Sequence, residues 1–468
     1  MKPFLFSLFA TTAAFAATPV VQTPTAFRDA STTNDIAAWK KAEPADTLAR
    51  GEWWKLFADP ALDDLIGRAL ANNQDLRAAA ARVEQARAAA GLARSAYWPQ
   101  LAANGSITRE QTSDTVGNVQ PNTLTTTYRA PLVASWEIDL FGRVRHLTAS
   151  ARADAEAVAA TFESVRLTLT SDVAASYFTL RALDHELALV RGGVALRSRA
   201  RELAQARLTN GTAAELDVAR ADAELASAEA ESAAVANRRA ALANSLAVLT
   251  GVPAPGFELP TRETQLALPP VVPAGLPAAL LERRPDIAAA ERALAAANSR
   301  IGVARAAFFP AISLTGSAGF ASAEVDGLFK ADSRIWSIGP SLYLPIFQGG
   351  RNRANLARSR AAHEESVAQF RQRVLVAFQE VQDALTAGRL LTEQSAAQER
   401  ALTAARRATT LAQTRYDAGF VSFLEVIDAQ RTSLATERAS AQLAALRLNT
   451  AVALIKALGG GWHAAPAS

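Results

Sequence analysis

Two periods of apolar positions take turns along the chain. From Arg143 to Thr209 apolar or small side chains recur three or four apart, through Val144, Leu147, Ala151, Ala155, Val158, Phe162, Val165, Leu169, Val173 and on to Val194, with no proline. That is a helix seam near the coiled-coil period, and at 1.5 Å per residue it predicts a rod ~100 Å long. Gly192 and Gly193 weaken the rod by roughly 1 kcal/mol each relative to alanine without ending it. A second rod is predicted over Arg351 to Asp417, with Phe370, Val374, Phe378, Val381 and Leu385 on its stripe. Shorter helices are predicted over 61–95, 213–249, 278–307 and 422–457. Asp59 caps the first of them, with Pro60 in its first turn.

Between these helices the period drops to two. Tyr128, Ala130, Leu132, Ala134, Trp136, Ile138 and Leu140 alternate with Arg129, Pro131, Val133, Ser135, Glu137 and Asp139. Such alternation predicts a strand with one apolar and one mostly polar face. Strands are predicted at about 100–109, 127–140, 311–321 and 335–346. The longest exceeds the roughly 9–11 residues that a tilted strand needs to cross a bilayer.

The pattern occurs twice. Asp75-Leu76 and Pro99 return as Asp286-Ile287 and Pro310, and Arg207, Gly211, Leu216, Asp217 and Val218 return in order as Arg415, Gly419, Leu424, Glu425 and Val426. Each half reads short helix, two strands, long helix, tight turn, short helix. The first half covers 61–250 and the second 278–457. A proline-rich connector joins them at 251–277, an extended arm precedes them at 17–60, and a tail follows at 458–468. The short helices of each half sum to about the length of its long helix. Two short helices stacked beside each rod therefore give a layer of uniform height, with strands at one end and glycine turns at the other.

Four strands cannot close a barrel, and hydrocarbon does not tolerate open sheet edges. Identical chains must supply the missing partners. A dimer would give eight strands with a filled interior; a trimer would give twelve around a polar lumen, and the trimer is favoured. The expected fold is mostly α with transmembrane β: a trimeric 12-stranded barrel continued by a long periplasmic α-helical barrel.

Composition narrows the chemistry. The chain of 468 residues has no cysteine, 7% aromatic and 20% charged residues, and a net charge of +4. Disulfides, thiolate metal sites and a lipidated N-terminal cysteine are excluded, and the small, dispersed positive excess gives no nucleic-acid footprint. Residues 1–16 read as a secretory signal, with Lys2, an apolar stretch from Phe4 to Ala13, and Ala14-Phe15-Ala16 before the cleavage point. No run of 18 apolar residues follows, so no spanning helix is predicted. His146, His185, His363 and His463 are scattered, and no P-loop, dinucleotide fingerprint or nucleophile elbow is present. No enzyme, cofactor or metal is expected. Arg283-Arg284, before Pro285, reads as surface charge at a turn.

The stretches Arg50 to Pro60 (RGEWWKLFADP), Ala71 to Leu76 (ANNQDL), Asp139 to Arg143 (DLFGR), Glu282 to Ile287 (ERRPDI) and Arg415 to Gln430 (RYDAGFVSFLEVIDAQ) resemble the TolC/OprM outer-membrane factors, in their NodT-type efflux branch. The resemblance covers nearly the whole chain after residue 16. It implies a homotrimeric exit duct of the outer membrane, docked to a periplasmic adaptor (membrane fusion) protein and an inner-membrane pump of the resistance-nodulation-division (RND) type. Such a duct passively conducts drugs or other small molecules. An exit duct for protein secretion is the alternative, and a non-conducting periplasmic spacer a more distant one. The chain departs from many relatives in lacking a lipidated cysteine, and from TolC in carrying Val421 where TolC has a cation.

The resemblance also places the periplasmic constriction at the start of the last helix. Leu424 and Asp428, at i and i+4, would give apolar and acidic rings. Glu425 and its repeat counterpart Asp217 join the candidate gate, with Tyr416 and Arg415 expected to bond these acids across the turn and Arg207 as a further gate support. The alternative is that these acids merely favour a helix N-terminus. The turns with Asn210, Gly211, Thr212, Gly419, Phe420 and Val421 are the candidate adaptor contacts. Trp98, Trp136 and Trp336 read as a belt at the interface with outer-membrane lipids, against the alternative of strand packing.

Overall fold

The structure, a computed structural model, describes residues 51–113, 115, 123–212, 214–262, 267–270 and 283–460. The signal segment, most of the arm and tail, and parts of the connector lie outside the described residues. The helices are α1 (Pro60–Asn72), α2 (Gln74–Ser95), α3 (Arg143–Thr209), α4 (Glu215–Leu249), α5 (Pro285–Ala306), α6 (Arg351–Asp417) and α7 (Phe423–Ala457). The strands are β1 (Gln100–Ala103), β2 (Ser106–Gln111), β3 (Leu124–Ile138), β4 (Ala311–Ser322) and β5 (Arg334–Tyr343). Two compact units emerge. One holds Ser95–Ser150 and Leu294–Ala368, the other Lys40–Arg94, Ala151–Ala293 and Gln369–Ser468 in their described parts.

The first unit is built on an antiparallel sheet in which β3 pairs with β1, β2 and β4, and β4 with β5. β1 and β2 form one line. Gln100 faces Ser135 and Ser106 faces Arg129, so both hold the same register on β3. The line breaks at Asn104-Gly105, yet the Asn104 N–H still reaches the Pro131 carbonyl at 2.9 Å. The one strand expected at 100–109 is thus two segments, because glycine weakens a strand interior.

The register sorts the side chains onto two faces. Leu132 and Ala134 of β3 lie beside Ala103 and Leu101 on one side and beside Ala318 and Gly316 on the other. Trp336, Ile338 and Leu342 of β5 extend that apolar face. The opposite face carries hydroxyls. Ser317 and Ser337 are paired, with their oxygens 2.9 Å apart, and the Thr315 hydroxyl donates to the Gly339 carbonyl at 3.3 Å. Gly319 sits opposite Pro131, and a Cβ there would lie 2.4 Å from the Ala130 carbonyl oxygen.

The second unit has an apolar core. Trp53, Leu62, Leu65 and Ile66 pack with Val173, Tyr177 and Leu180 of α3, Leu246 of α4, and Leu448, Val452 and Ile455 of α7. Each such side chain contributes about 1.5–3 kcal/mol on burial. The Tyr177 hydroxyl donates to Asp59 Oδ2 at 2.5 Å, while Asp59 Oδ1 caps α1 by accepting from the Ala61 N–H at 3.0 Å. A buried polar box sits beside this core. Asp184 accepts from Arg181 at 2.8 Å and from Arg239 at 2.5 Å. The same two arginines donate to the Pro260 and Leu259 carbonyls, which fastens the connector to α3 through Arg181 and to α4 through Arg239.

Two sequence expectations are corrected here. The single helix over 61–95 is two helices, because Asn73 leaves helical geometry with ψ 127 and restarts the chain. Its Oδ1 accepts from the Leu76 N–H at 2.9 Å. Arg284 is not surface charge: it is 6% exposed. It makes a two-pronged contact to Asp286 (3.0 and 2.8 Å) and reaches Glu380 at 2.6 Å. Burial lowers its proton affinity, but these carboxylates outweigh that, and Asp286 in turn is held below its ordinary value by Arg284.

Candidate functional site

Both long helices end in the same turn. The Thr212 N–H donates to the Arg207 carbonyl and the Gly211 N–H to the Leu208 carbonyl, each at 2.9 Å; Phe420 to Arg415 and Gly419 to Tyr416 repeat the pair at 2.9 Å. This double closure needs a left-handed residue. Glycine supplies it at no steric cost, with φ 73 at Gly211 and φ 79 at Gly419. Asn210, Gly211, Thr212, Gly419 and Phe420 are exposed, Phe420 to 78%, and Val421 is half-buried.

The start of α7 has two sides. Val426 is fully buried. Leu424 lies on the opposite side and is 50% exposed. Asp428, one turn later on the same face, has a side chain 63% exposed. Arg431 follows on that face, 3.9 Å from Asp428, and reaches Glu224 of α4 at 3.2 Å. Glu224 in turn lies 3.6 Å from Arg197 of α3. Leu424 and Asp428 therefore point away from their own chain's core, and Asp428 ends a line of alternating charges across the hairpins.

The supporting residues are arranged differently from expectation. Tyr416 does not bond the acids; its hydroxyl accepts from Arg207 of α3. Its ring lies 5.4 Å from the Phe423 ring and its face 5.3 Å from the Arg207 guanidinium. Arg415 is exposed. Asp217 accepts from the Ala214 N–H at 3.4 Å, so it serves the end of its own helix. Glu425 stands exposed in the first turn of α7. Sequence reasoning missed Arg431 and Glu224. Their only signal was opposite charge on helices separated by two hundred residues of chain.

The tryptophans occupy two levels of the sheet unit. Trp136 donates from Nε1 to the Tyr97 carbonyl at 2.9 Å, next to Trp98, which is 68% exposed. Trp336 is opposite Ala318 and hence beside Leu132, four residues farther along β3 than Trp136. At 3.3 Å per residue that separates them by about 13 Å, so one belt does not hold both.

The outer membrane efflux protein family matches residues 65–252 and 276–460, two stretches that follow the internal repeat. The solvent efflux pump outer membrane protein SrpC of Pseudomonas putida is 39% identical over 410 residues, covering 87% of each chain. The cation efflux system protein CusC of Escherichia coli is 35% identical over 420 residues, covering 90% of each. Among solved structures, VceC of Vibrio cholerae superposes with a TM-score of 0.80 at 29% identity, over 88% of this chain and 99% of that one. The open state of the MtrE channel of Neisseria gonorrhoeae gives 0.77 at 33% identity, over 91% and 96%. Members of this family are transport channels. The protein belongs to the outer membrane efflux protein family and is an outer-membrane component of an efflux system.

Proposed function

We propose that three copies of the chain assemble into a duct that conducts small molecules passively from a periplasmic adaptor and an inner-membrane RND-type pump to the outside. The observation that carries this reading is the two-faced sheet. One face is apolar, the other bears hydroxyls, and among the described residues β1–β2 and β5 stand at its unpaired margins. Backbone groups at such margins must be satisfied in lipid, which pairing β5 of one copy with β1–β2 of the next achieves. Twelve strands then enclose a polar lumen. The apolar face with Trp136 and Trp336 meets outer-membrane lipid.

In this reading Leu424 and Asp428 project into the axis at the periplasmic tip as an apolar and an acidic ring. Arg207 and Tyr416 hold the two hairpins closed beside them. The Gly211 and Gly419 turns, with Phe420 exposed, receive the adaptor. Energy comes from the pump, because the chain offers a passage and a closure but no fuel. Native mass spectrometry in detergent together with planar-bilayer recording tests the proposal. A trimer with discrete conductance steps is expected; a monomer, or a trimer that passes no current, overturns it.

A further inference from the structure

One buried acid joins three helices of the second unit. Glu186 of α3 has a side chain 2% exposed. Its Oε1 accepts from Arg238 of α4 at 2.9 Å and from Arg438 of α7 at 2.7 and 3.1 Å, and its Oε2 accepts from Gln442 of α7 at 3.3 Å. Arg438 also bonds Glu231 of α4. Burial pushes the Glu186 carboxyl up, and the bonds from Arg438 and Gln442 outweigh it and hold the group below its ordinary range.

The packing changes character at this residue. On one side the two repeats share apolar core: Leu448, Val452 and Ile455 of α7 lie against Val173, Tyr177 and Leu180 of α3. There Asn449 donates to the Thr179 hydroxyl at 3.0 Å. Toward the glycine turns the described apolar clusters stay inside one hairpin. Leu183, Leu187 and Val190 pack with Val235, and Ala204 with Val218 and Ala221, all between α3 and α4. The other hairpin is likewise closed on itself, with Gln398 donating to the Thr436 carbonyl at 2.9 Å and Arg406 to Glu437 at 2.8 Å. What crosses between hairpins there is slighter. Leu434 lies over Gly193, where a Cβ would be 3.5 Å from it. Arg431, 58% exposed, reaches Glu224, and Arg207 reaches Tyr416.

We infer that Glu186 is the pivot on which the α6/α7 hairpin turns against the α3/α4 hairpin, so that its bonds to Arg438 and Gln442 set how readily the tip opens. Exposed pairs screened by water yield at little cost, whereas a buried carboxylate leaves its cations only by exposing unpaired charge. Motion that breaks the tipward contacts therefore stops at Glu186, and the shared apolar core beyond it stays whole. The inference rests on the duct reading and on the constriction lying at the tip.

Planar-bilayer recordings of the full-length protein test it, with circular dichroism to check folding and Tyr416→Phe as a reference at the tip. Glu186→Gln keeps the shape and loses the charge; a several-fold rise in resting conductance with helix content unchanged is expected. Arg438→Lys keeps the charge but lacks the fork that spans Glu186 and Glu231, and a smaller rise is expected. It also serves if Glu186→Gln does not fold. Wild-type conductance in whichever of these variants folds, beside a raised value in Tyr416→Phe, overturns the pivot and leaves the duct standing. If neither wild type nor any variant conducts, the duct reading falls and takes the pivot with it.

Discussion

Asn73 and Arg284 hold the same place in the two halves of the chain and fasten the same kind of joint. Asn73 Nδ2 donates to the Leu249 carbonyl at the end of α4, and Arg284 Nη1 to the Ala457 carbonyl at the end of α7, each at 3.0 Å. Both joints stack a short helix onto the end of another and close a carbonyl that a helix terminus leaves open. Only the second carries charge. Arg284→Ala should therefore cost about 3–5 kcal/mol, since Asp286 loses its buried partner. Asn73→Ala removes a neutral bond and a cap and should cost about 1–2 kcal/mol. Urea unfolding followed by circular dichroism ranks the two; equal losses would count against the buried charge as the difference.

The joints also depend on two glycines. Gly251 has φ 70, and a Cβ there would lie 2.4 Å from the Asn72 carbonyl oxygen; Gly459 has φ 87, and its Cβ would lie 2.9 Å from the Arg283 carbonyl oxygen. Alanine at either position meets an unfavourable backbone region, worth about 1–2 kcal/mol, before any contact is counted. Gly251→Ala adds the tighter clash with backbone and should be the more damaging. The order of the two melting temperatures checks this.

Acid should weaken the second unit through carboxylates whose proton affinity is lowered on folding. Glu186 and Asp286 are both held below their ordinary values. Such groups stabilise the fold above their unfolded pKa, and that contribution disappears as pH falls through the folded value. Stability should be level between neutrality and about pH 5 and decline below about pH 4. Asp286→Asn, compared with wild type across that range, should show a shallower decline. An identical slope would sink the assignment.

On the proposed reading of the tip, Asp428→Ala should raise the resting leak of the channel, because the acidic ring it would form and its contact to Arg431 are lost together. Tyr416→Phe removes one hydrogen bond from Arg207, worth about 1–2 kcal/mol to a charged donor, and should raise the leak without changing the melting temperature by more than a few degrees. Single-channel recording separates both from wild type. Unchanged conductance in Asp428→Ala would remove that residue from the gate.

The helix periods are legible in the sequence because each long helix buries a stripe, as Val173 shows, and the strand period because apolar side chains share one face of the sheet even where, as at Leu132, that face is exposed in the single chain. The break at Asn73 is hidden by the apolar stripe that continues on both sides of it, although Asn before Gln74-Asp75 is a helix-start signal. The Glu186–Arg438 tie was beyond reach. Its partners stand 252 residues apart, and nothing in a row of alternating charges tells a solvated acid from a buried one. The same limit explains Arg284, where two adjacent arginines before a proline look like any exposed turn. Tyr416 is legible as a support of the tip, but its partner, Arg207, lies 209 residues away in the chain and no local spacing points to it.

The hydroxyl-bearing face of the sheet has a consequence for what the protein can discriminate. Ser317, Ser337 and Thr315 present short side chains whose oxygens already bond one another or the backbone. The same face also carries charge, with Arg129 and Glu137 in register with Ala321 and Ser313, and Glu137 is tied to Arg143 at 2.6 Å. In the proposed duct these hydroxyls, already engaged with one another or the backbone, give no single solute a grip, so the choice of cargo rests chiefly with the pump that loads it.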